Sequence, residues 1–252
     1  MDATDVVISD LIGEHLALQG LVEHLEESVW HTRTPASGWD VADSVSHLLF
    51  FDIRAARAMT DAEAFGADGV ALMKIFAEGG DPSVALGRGV SGGELFTAWK
   101  EKSAALITAA KLADRMQRVP WYGPSMSVAS FLTARLMETW AHGVDISDAT
   151  GQKIVVSHRL KHIAHIGVLA RANSYRANGL EVPEAKIGVV LSTPTSSVQK
   201  DEKWEWGVTD ATETVTGSAL DFCLLVTQRR HVADTDLVAS GELGREPLTD
   251  RS

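Results

Sequence analysis

Apolar residues along the first half of the chain recur at three- and four-residue intervals, a period that predicts a run of amphipathic helices. Val7, Leu11, Leu18, Leu21, Leu25 and Val29 form the apolar face of a first helix expected over 6–29. After the turn Thr34-Pro35-Ala36-Ser37-Gly38, Asp40 is placed to cap a second helix with Val41, Val45, Leu48, Leu49 and Ile53 on one face and His47 inside it. The glycine-rich stretch 64–93, which contains Pro82, predicts a weak helical excursion and then a loop. A third helix is expected from Glu94 to about Leu112. The turn Pro120-Trp121-Tyr122-Gly123-Pro124 precedes a fourth, capped by Ser125 or Ser127, running to about Ala149 and stopped at Gly151. Four such segments fit a four-helix bundle.

Beyond Gly151 the pattern changes. A helix over 157–178 is followed by strand-like runs at 187–192, 203–208 and 213–216, and Ser218 can cap a short helix to about Thr227. Lys203-Trp204-Glu205-Trp206 alternates as a half-buried strand does. The expected class is α+β, with a bundle over 1–151 joined at Thr150-Gly151 to a small α+β domain over 152–252. The polar tail from Ala239 is expected to be loosely ordered. A chain of 252 residues suits two units of this size.

Charge and composition remove several classes of function. Thirty-four acidic against 23 basic residues leave a formal charge of −11, which argues against nucleic acid, because phosphate binding needs clustered Lys and Arg. Runs such as 187–191 and 222–226 fall far short of the roughly 20 apolar residues that cross a bilayer, so no membrane span is expected. The segment Met1-Asp2-Ala3-Thr4-Asp5-Val6 lacks the basic and apolar parts of a secretion signal, and the single Cys223 excludes an internal disulfide; a reduced, cytoplasmic setting is expected. Cys223 lies in an apolar run and reads as a buried, inert thiol.

Glu138 and His142 are four residues apart on the fourth helix, which sets them on one face ~6 Å apart along its axis. Such a pair is often no more than a surface contact. Here, though, Leu132, Leu136, Trp140 and Val144 make the segment strongly apolar, and His47 sits on another helix among Val45, Leu48 and Leu49. Polar groups drawn into a core need a common partner, and one divalent ion held by two neutral imidazoles and a carboxylate supplies it. It leaves a fourth position for water or substrate, as in catalytic zinc sites.

Gly38-Trp39-Asp40-Val41-Ala42-Asp43-Ser44-Val45-Ser46-His47-Leu48, taken with Arg135-Leu136-Met137-Glu138-Thr139-Trp140-Ala141-His142-Gly143-Val144-Asp145, resembles the mycothiol-dependent maleylpyruvate isomerase family of the DinB-like superfamily, and in particular an actinobacterial branch of metal-binding proteins. The turn from Val119 to Ser127 and the stretch from Thr216 to His231 are similar to that branch too, so the resemblance spans nearly the whole chain. It implies a DinB-like four-helix bundle followed by a lobe similar to sterol carrier protein modules. It implies metal ligation by the His of Trp-x7-His and by Glu-x3-His, that is by His47, Glu138 and His142. It also implies a cofactor of divalent metal, zinc first, with mycothiol or another low-molecular-weight thiol. In the reaction that names the family, the thiol adds to an activated double bond, the bond rotates and the thiol leaves. One departure is expected to matter for substrate contacts: little of the family's usual continuation follows Gly241-Glu242-Leu243-Gly244-Arg245-Glu246-Pro247.

Trp121 and Tyr122, on the loop before the ligand helix, are expected pocket walls, while Trp39 and Trp140 read as core. Arg229 and Arg230, beside His231 at the end of the last helix, read either as a complement to the helix terminus or as a catalytic clamp for an anionic substrate. His15 and His24 are expected in solvent. His158, His162 and His165 share a helical face but lack an acidic or cysteine partner at ligand spacing, so no second metal is expected. The functional expectation is a metal-dependent isomerase or thiol transferase acting on a small molecule. A thiol-independent isomerase, cyclase or hydrolase and a non-enzymatic metal- and ligand-binding protein stay open, as does assembly into a homodimer.

Overall fold

The computed structural model describes residues 2–184, 186–194 and 202–241, and the chain folds as two compact units, one through Val155 and one from Val156. In the first unit five helices form: α1 (Ala3–Val22), α2 (Val41–Thr60), α3 (Ala62–Ala77), α4 (Gly92–Leu112) and α5 (Val128–Thr150). Four of them close a ring, α1 packing on α4 and α5, and α2 packing on the same two. This is the four-helix bundle, and Leu18, Trp30, Val45, Leu48, Trp99 and Ile146 lie in its core. No described helix is long and apolar enough to cross a membrane.

Local chemistry explains where the helices start and stop. The Asp40 carboxylate accepts from Asp43 N while Asp43 reaches back to Asp40 N, a reciprocal cap that opens α2. Ser91 and Glu94 do the same for α4. Ser127 is the one of the two expected caps that opens α5, and Gly151 closes it in the left-handed conformation at φ 71°. A Cβ added to Gly92 would stand 2.3 Å from the Trp30 ring, so α4 can begin against that indole only with glycine.

Three expectations are corrected within this unit. The first helix stops at Val22; Leu25 falls in the connection after it, and Val29 in a short 3-10 turn, Glu27–His31, that buries Trp30. The segment expected to be weakly helical forms the regular helix α3, because Asp61, the last cap of α2, also accepts from Ala64 N and restarts the chain. His15 is buried, 4% exposed, with its ring edge-on to Trp99 at 5.7 Å. α1 faces two helices, α4 and α5, so its buried stripe is wider than the run of Leu and Val suggests and takes in Glu14 and His15. His24 is exposed, as expected.

Burial holds the His15 imidazole below its ordinary value of 6.5, opposed only in part by the charge of Asp52. A histidine whose folded pKa is depressed favours folding while neutral; its contribution is therefore complete above pH 6.5 and is lost as pH falls from there through the folded value. A His15→Phe variant should lose less stability than the parent between pH 7.5 and 5.5 in urea unfolding. Equal losses in the two proteins would show that His15 does not set the acid-side slope.

In the second unit α6 (Leu160–Ala177) and α7 (Ala219–Val226) pack together beside a sheet of β3 (Ile187–Ser192), β4 (Lys203–Trp206), β5 (Glu213–Ser218) and β6 (Val238–Ser240). A two-residue hairpin in the first unit supplies β1 (Arg118–Val119) and β2 (Met126–Ser127). The four-stranded order is β4-β3-β5-β6, with β3 and β5 parallel and the other neighbours antiparallel. Trp204 is buried between exposed Lys203 and Glu205, the alternation expected of this strand. Ala239 and Ser240 were expected in a loose tail, but their backbone pairs with Val215 and Thr214. The tail beyond Gly241 lies outside the described residues. Cys223 is fully buried, and burial pushes its thiol pKa far up, which leaves it inert.

Candidate metal centre

α2 carries His47 and α5 carries Glu138 and His142, and the packing of these two helices brings the three together. One oxygen of Glu138, Oε2, lies 3.7 Å from His47 Nε2 and 3.7 Å from His142 Nε2. The three ligand atoms all fall within 4.8 Å of one another. Ligands of a tetrahedral zinc ion at bonds of 2.0–2.1 Å stand about 3.3 Å apart, so the two 3.7 Å separations from Glu138 need only a small contraction to suit such an ion. Among the described residues no other group of His, Cys, Asp or Glu gathers this closely, so the helix bearing His158, His162 and His165 contributes no second cluster.

The far side of each imidazole is held as well. Ser83 Oγ donates to Asp81 Oδ1 at 2.5 Å, which leaves that hydroxyl to accept from His47 Nδ1 at 3.0 Å. Ser83 is 1% exposed and sits in a 3-10 turn, Pro82–Val84, that packs on α2. On α5 the Asp145 carboxylate stands 3.2 Å from His142 Nδ1, one turn along the helix. At His47 the contact with Ser83 makes Nδ1 the donor, the arrangement in which Nε2 keeps its lone pair toward Glu138; His142 turns its Nε2 to the same oxygen, with Asp145 beside its Nδ1 as an ion-pair contact. Trp39 stacks on His142 at 5.6 Å and 15° and tilts against His47 at 5.1 Å, and Phe51 covers the other side of His47 at 4.6 Å.

Electrostatics favour a neutral imidazole and an ionised carboxylate. Burial lowers the His47 pKa, with the Glu138 contact opposing it only partly. Burial alone would raise the Glu138 carboxyl, yet contacts with His142 and His47 and the charge of Arg135 win and hold it well below the usual carboxylate range. The Glu138 side chain remains 35% exposed against 8% for His142, so the trio is reached from the Glu138 side. Beneath it Asp52, fully buried, accepts from Arg135 Nη2 at 3.0 Å and from Trp99 Nε1 at 3.1 Å, tying α2, α4 and α5 together.

The expected wall residues Trp121 and Tyr122 lie between β1 and β2, half-buried. Their rings approach Phe51 at 6.1 and 6.2 Å, and Trp121 stacks on Phe65 of α3 at 5.5 Å. Arg229 and Arg230 belong to the second unit, in the turn after α7, and both are half-buried. Arg229 Nη1 donates to the Thr227 carbonyl and Arg230 Nη1 to the Arg229 carbonyl, each at 2.7 Å, in keeping with a role at the helix terminus. Ser83, Asp81, Asp52 and Phe51 were missed from the sequence; of the partners around the site Asp145, three residues after His142, and Phe51, four after His47, carry a local signal.

The fold and the site define a helical-bundle protein with a two-histidine, one-carboxylate triad, followed by a smaller α+β unit. The family model for the mycothiol maleylpyruvate isomerase N-terminal domain matches residues 13–147, and the chain belongs to this family. A model for wyosine base formation matches the short stretch 200–240. Two Mycobacterium tuberculosis proteins described as uncharacterized, from strains CDC 1551 and H37Rv, are each 40% identical over 248 residues, 96% of this chain and 92% of theirs. Among solved structures, the mycothiol-dependent maleylpyruvate isomerase and a histidine-to-alanine mutant of it match with a TM-score of 0.61 and 13% identity, covering 99% of this chain and 97% of theirs. At that identity the likeness establishes the fold.

Proposed function

We propose that this chain is a metal-dependent enzyme, with zinc the expected ion, that acts on a small anionic or carbonyl-bearing substrate together with a low-molecular-weight thiol such as mycothiol, as an isomerase or thiol transferase. The supporting observation is the paired orientation of the imidazoles, Nδ1 of each against an oxygen and Nε2 of each 3.7 Å from Glu138 Oε2. The donor set suits zinc, and His47, Glu138 and His142 are the residues that would hold it. A zinc ion in such a set lowers the pKa of an adjacent thiol or water and polarises a carbonyl oxygen. Around it Ser83 and Asp145 orient the rings, Trp39 and Phe51 exclude water from their faces, and Trp121 and Tyr122 offer a flat apolar surface to a substrate. Arg229 and Arg230 are assigned to an anionic group of the substrate, on the strength of their charge and of the guanidinium's fit to carboxylates.

Isomerisation of maleylpyruvate with and without mycothiol, followed on metal-analysed protein, tests the reading. Turnover should require the thiol, stop on chelation and return with zinc, and Arg229→Ala or Arg230→Ala should raise KM with metal content unchanged. Turnover without thiol would replace it with direct Lewis-acid chemistry. Bound metal with no turnover of this or related electrophiles would favour a binding protein, and full turnover in both arginine variants would remove those residues from the site.

A further inference from the structure

Arg54 follows His47 by seven residues on α2, ~10.5 Å along the axis and about 20° around it, so the two share a face. Phe51 stands between them, 4.6 Å from the His47 ring and 6.2 Å from the Tyr122 ring. Arg54 Nε donates to the Tyr122 hydroxyl at 2.6 Å, and its Cζ lies 4.6 Å from the Phe50 ring. Arg57, one turn on, is paired with Asp68, whereas Arg54 has no carboxylate partner among the described residues. The Tyr122 oxygen already accepts from Arg54, which leaves its own proton to donate, and among the described residues no acceptor takes it. Burial raises the Tyr122 pKa, with the charge and hydrogen bond of Arg54 opposing it only in part, so the phenol keeps that proton.

We propose that Arg54 and Tyr122 form an anion-binding pair, which seats the carboxylate of a flat, unsaturated or aromatic ligand lying along Phe51 toward His47. A half-buried guanidinium without a counter-charge presents its two terminal nitrogens as a fork, and the phenol adds a third donor beside it. Phe51 and Trp121 supply the planar apolar surface that a conjugated acid would cover. A latch between α2 and the β1–β2 loop, the rival role, needs only the single Arg54–Tyr122 bond and no further donors. The inference extends the substrate side of the proposed function, yet neither Arg54 nor Tyr122 is one of the three candidate metal ligands.

The test uses the full chain stripped of metal, titrated by NMR with cinnamate and with its uncharged analogue cinnamamide. Cinnamate should bind the more tightly. Arg54→Gln and Tyr122→Phe should each weaken cinnamate about tenfold or more, the worth of a charge-assisted hydrogen bond, and leave cinnamamide unchanged. Arg54→Lys, which keeps the charge and loses the fork, should recover part of the loss. Equal affinity for the two probes, no saturable cinnamate binding, or cinnamate binding indifferent to both Arg54→Gln and Tyr122→Phe would overturn the pair. Tyr122→Phe removes one oxygen and preserves the ring, so a misfolded Arg54 variant would not leave the question open. Because these titrations are metal-free, a chain that never acquires zinc would sink the metal reading and leave this one standing.

Discussion

Replacing His142 with alanine is expected to abolish stoichiometric metal and, with it, activity. His142 is 8% exposed, its Nε2 faces Glu138 and Asp145 lies 3.2 Å from its Nδ1, and among the described residues no fourth His, Cys, Asp or Glu joins the group to take its place. Two remaining ligands make a poor site for a divalent ion, whereas Ser83→Ala keeps all three and loses only the orientation of His47, a change worth about 10- to 100-fold in metal affinity. The two variants should therefore rank in that order in chelator competition. An ion held at a thousand times its dissociation constant stabilises the fold by about 4 kcal/mol through mass action, so verified metal removal should lower the melting temperature by about 10 °C. Full metal content in a triple variant lacking His47, Glu138 and His142 would refute the assignment. An unchanged melting temperature after complete removal would show that the ion contributes nothing to folding.

The second large effect lies one layer deeper. Asp52→Ala should cost about 3–5 kcal/mol, since Arg135 would remain as a buried cation without its counter-charge. The Trp99 indole would lose its acceptor at the same time. Removing both charges, as Asp52→Leu with Arg135→Met, should recover most of the loss, because an apolar pair of similar volume avoids the desolvation penalty. Urea unfolding of the three proteins measures the difference. If Asp52→Ala costs less than about 1 kcal/mol, the value of an exposed pair, the contact is not the junction of α2, α4 and α5 that it resembles.

Much of this was legible in the order of residues because the signals are local. Helical periodicity, Asp40 and Ser127 as caps, Gly151 as a stop and the alternation around Trp204 each act within a few residues, and the structure bears them out. Glu138 and His142 were visible for the same reason, being one turn apart. His15 was misread because burial there is decided by which helices α1 meets, a property no window of α1 contains. The same holds for Ser83, which meets His47 across 36 residues, and for Asp52 and Arg135, 83 apart. β6 escaped because a three-residue edge strand is specified by the backbone groups of β5 that it pairs with, and Val238-Ala239-Ser240 is too short to carry an alternating pattern of its own. α3 was expected only as a weak excursion because Asp61 ends one helix and begins the next, and the glycines after it were given too much weight as breakers.

The two histidines are fastened to different kinds of support. His142 leans on Asp145, within its own helix and in the middle of the bundle, whereas His47 leans on a three-residue turn from another part of the chain. Opening of that turn would unfasten one ligand and leave the other in place, at far less cost than melting α5. An ion in this site would then leave by a preferred exit, His47 first, and its residence time would follow the lifetime of the Pro82–Val84 turn more closely than the stability of the bundle.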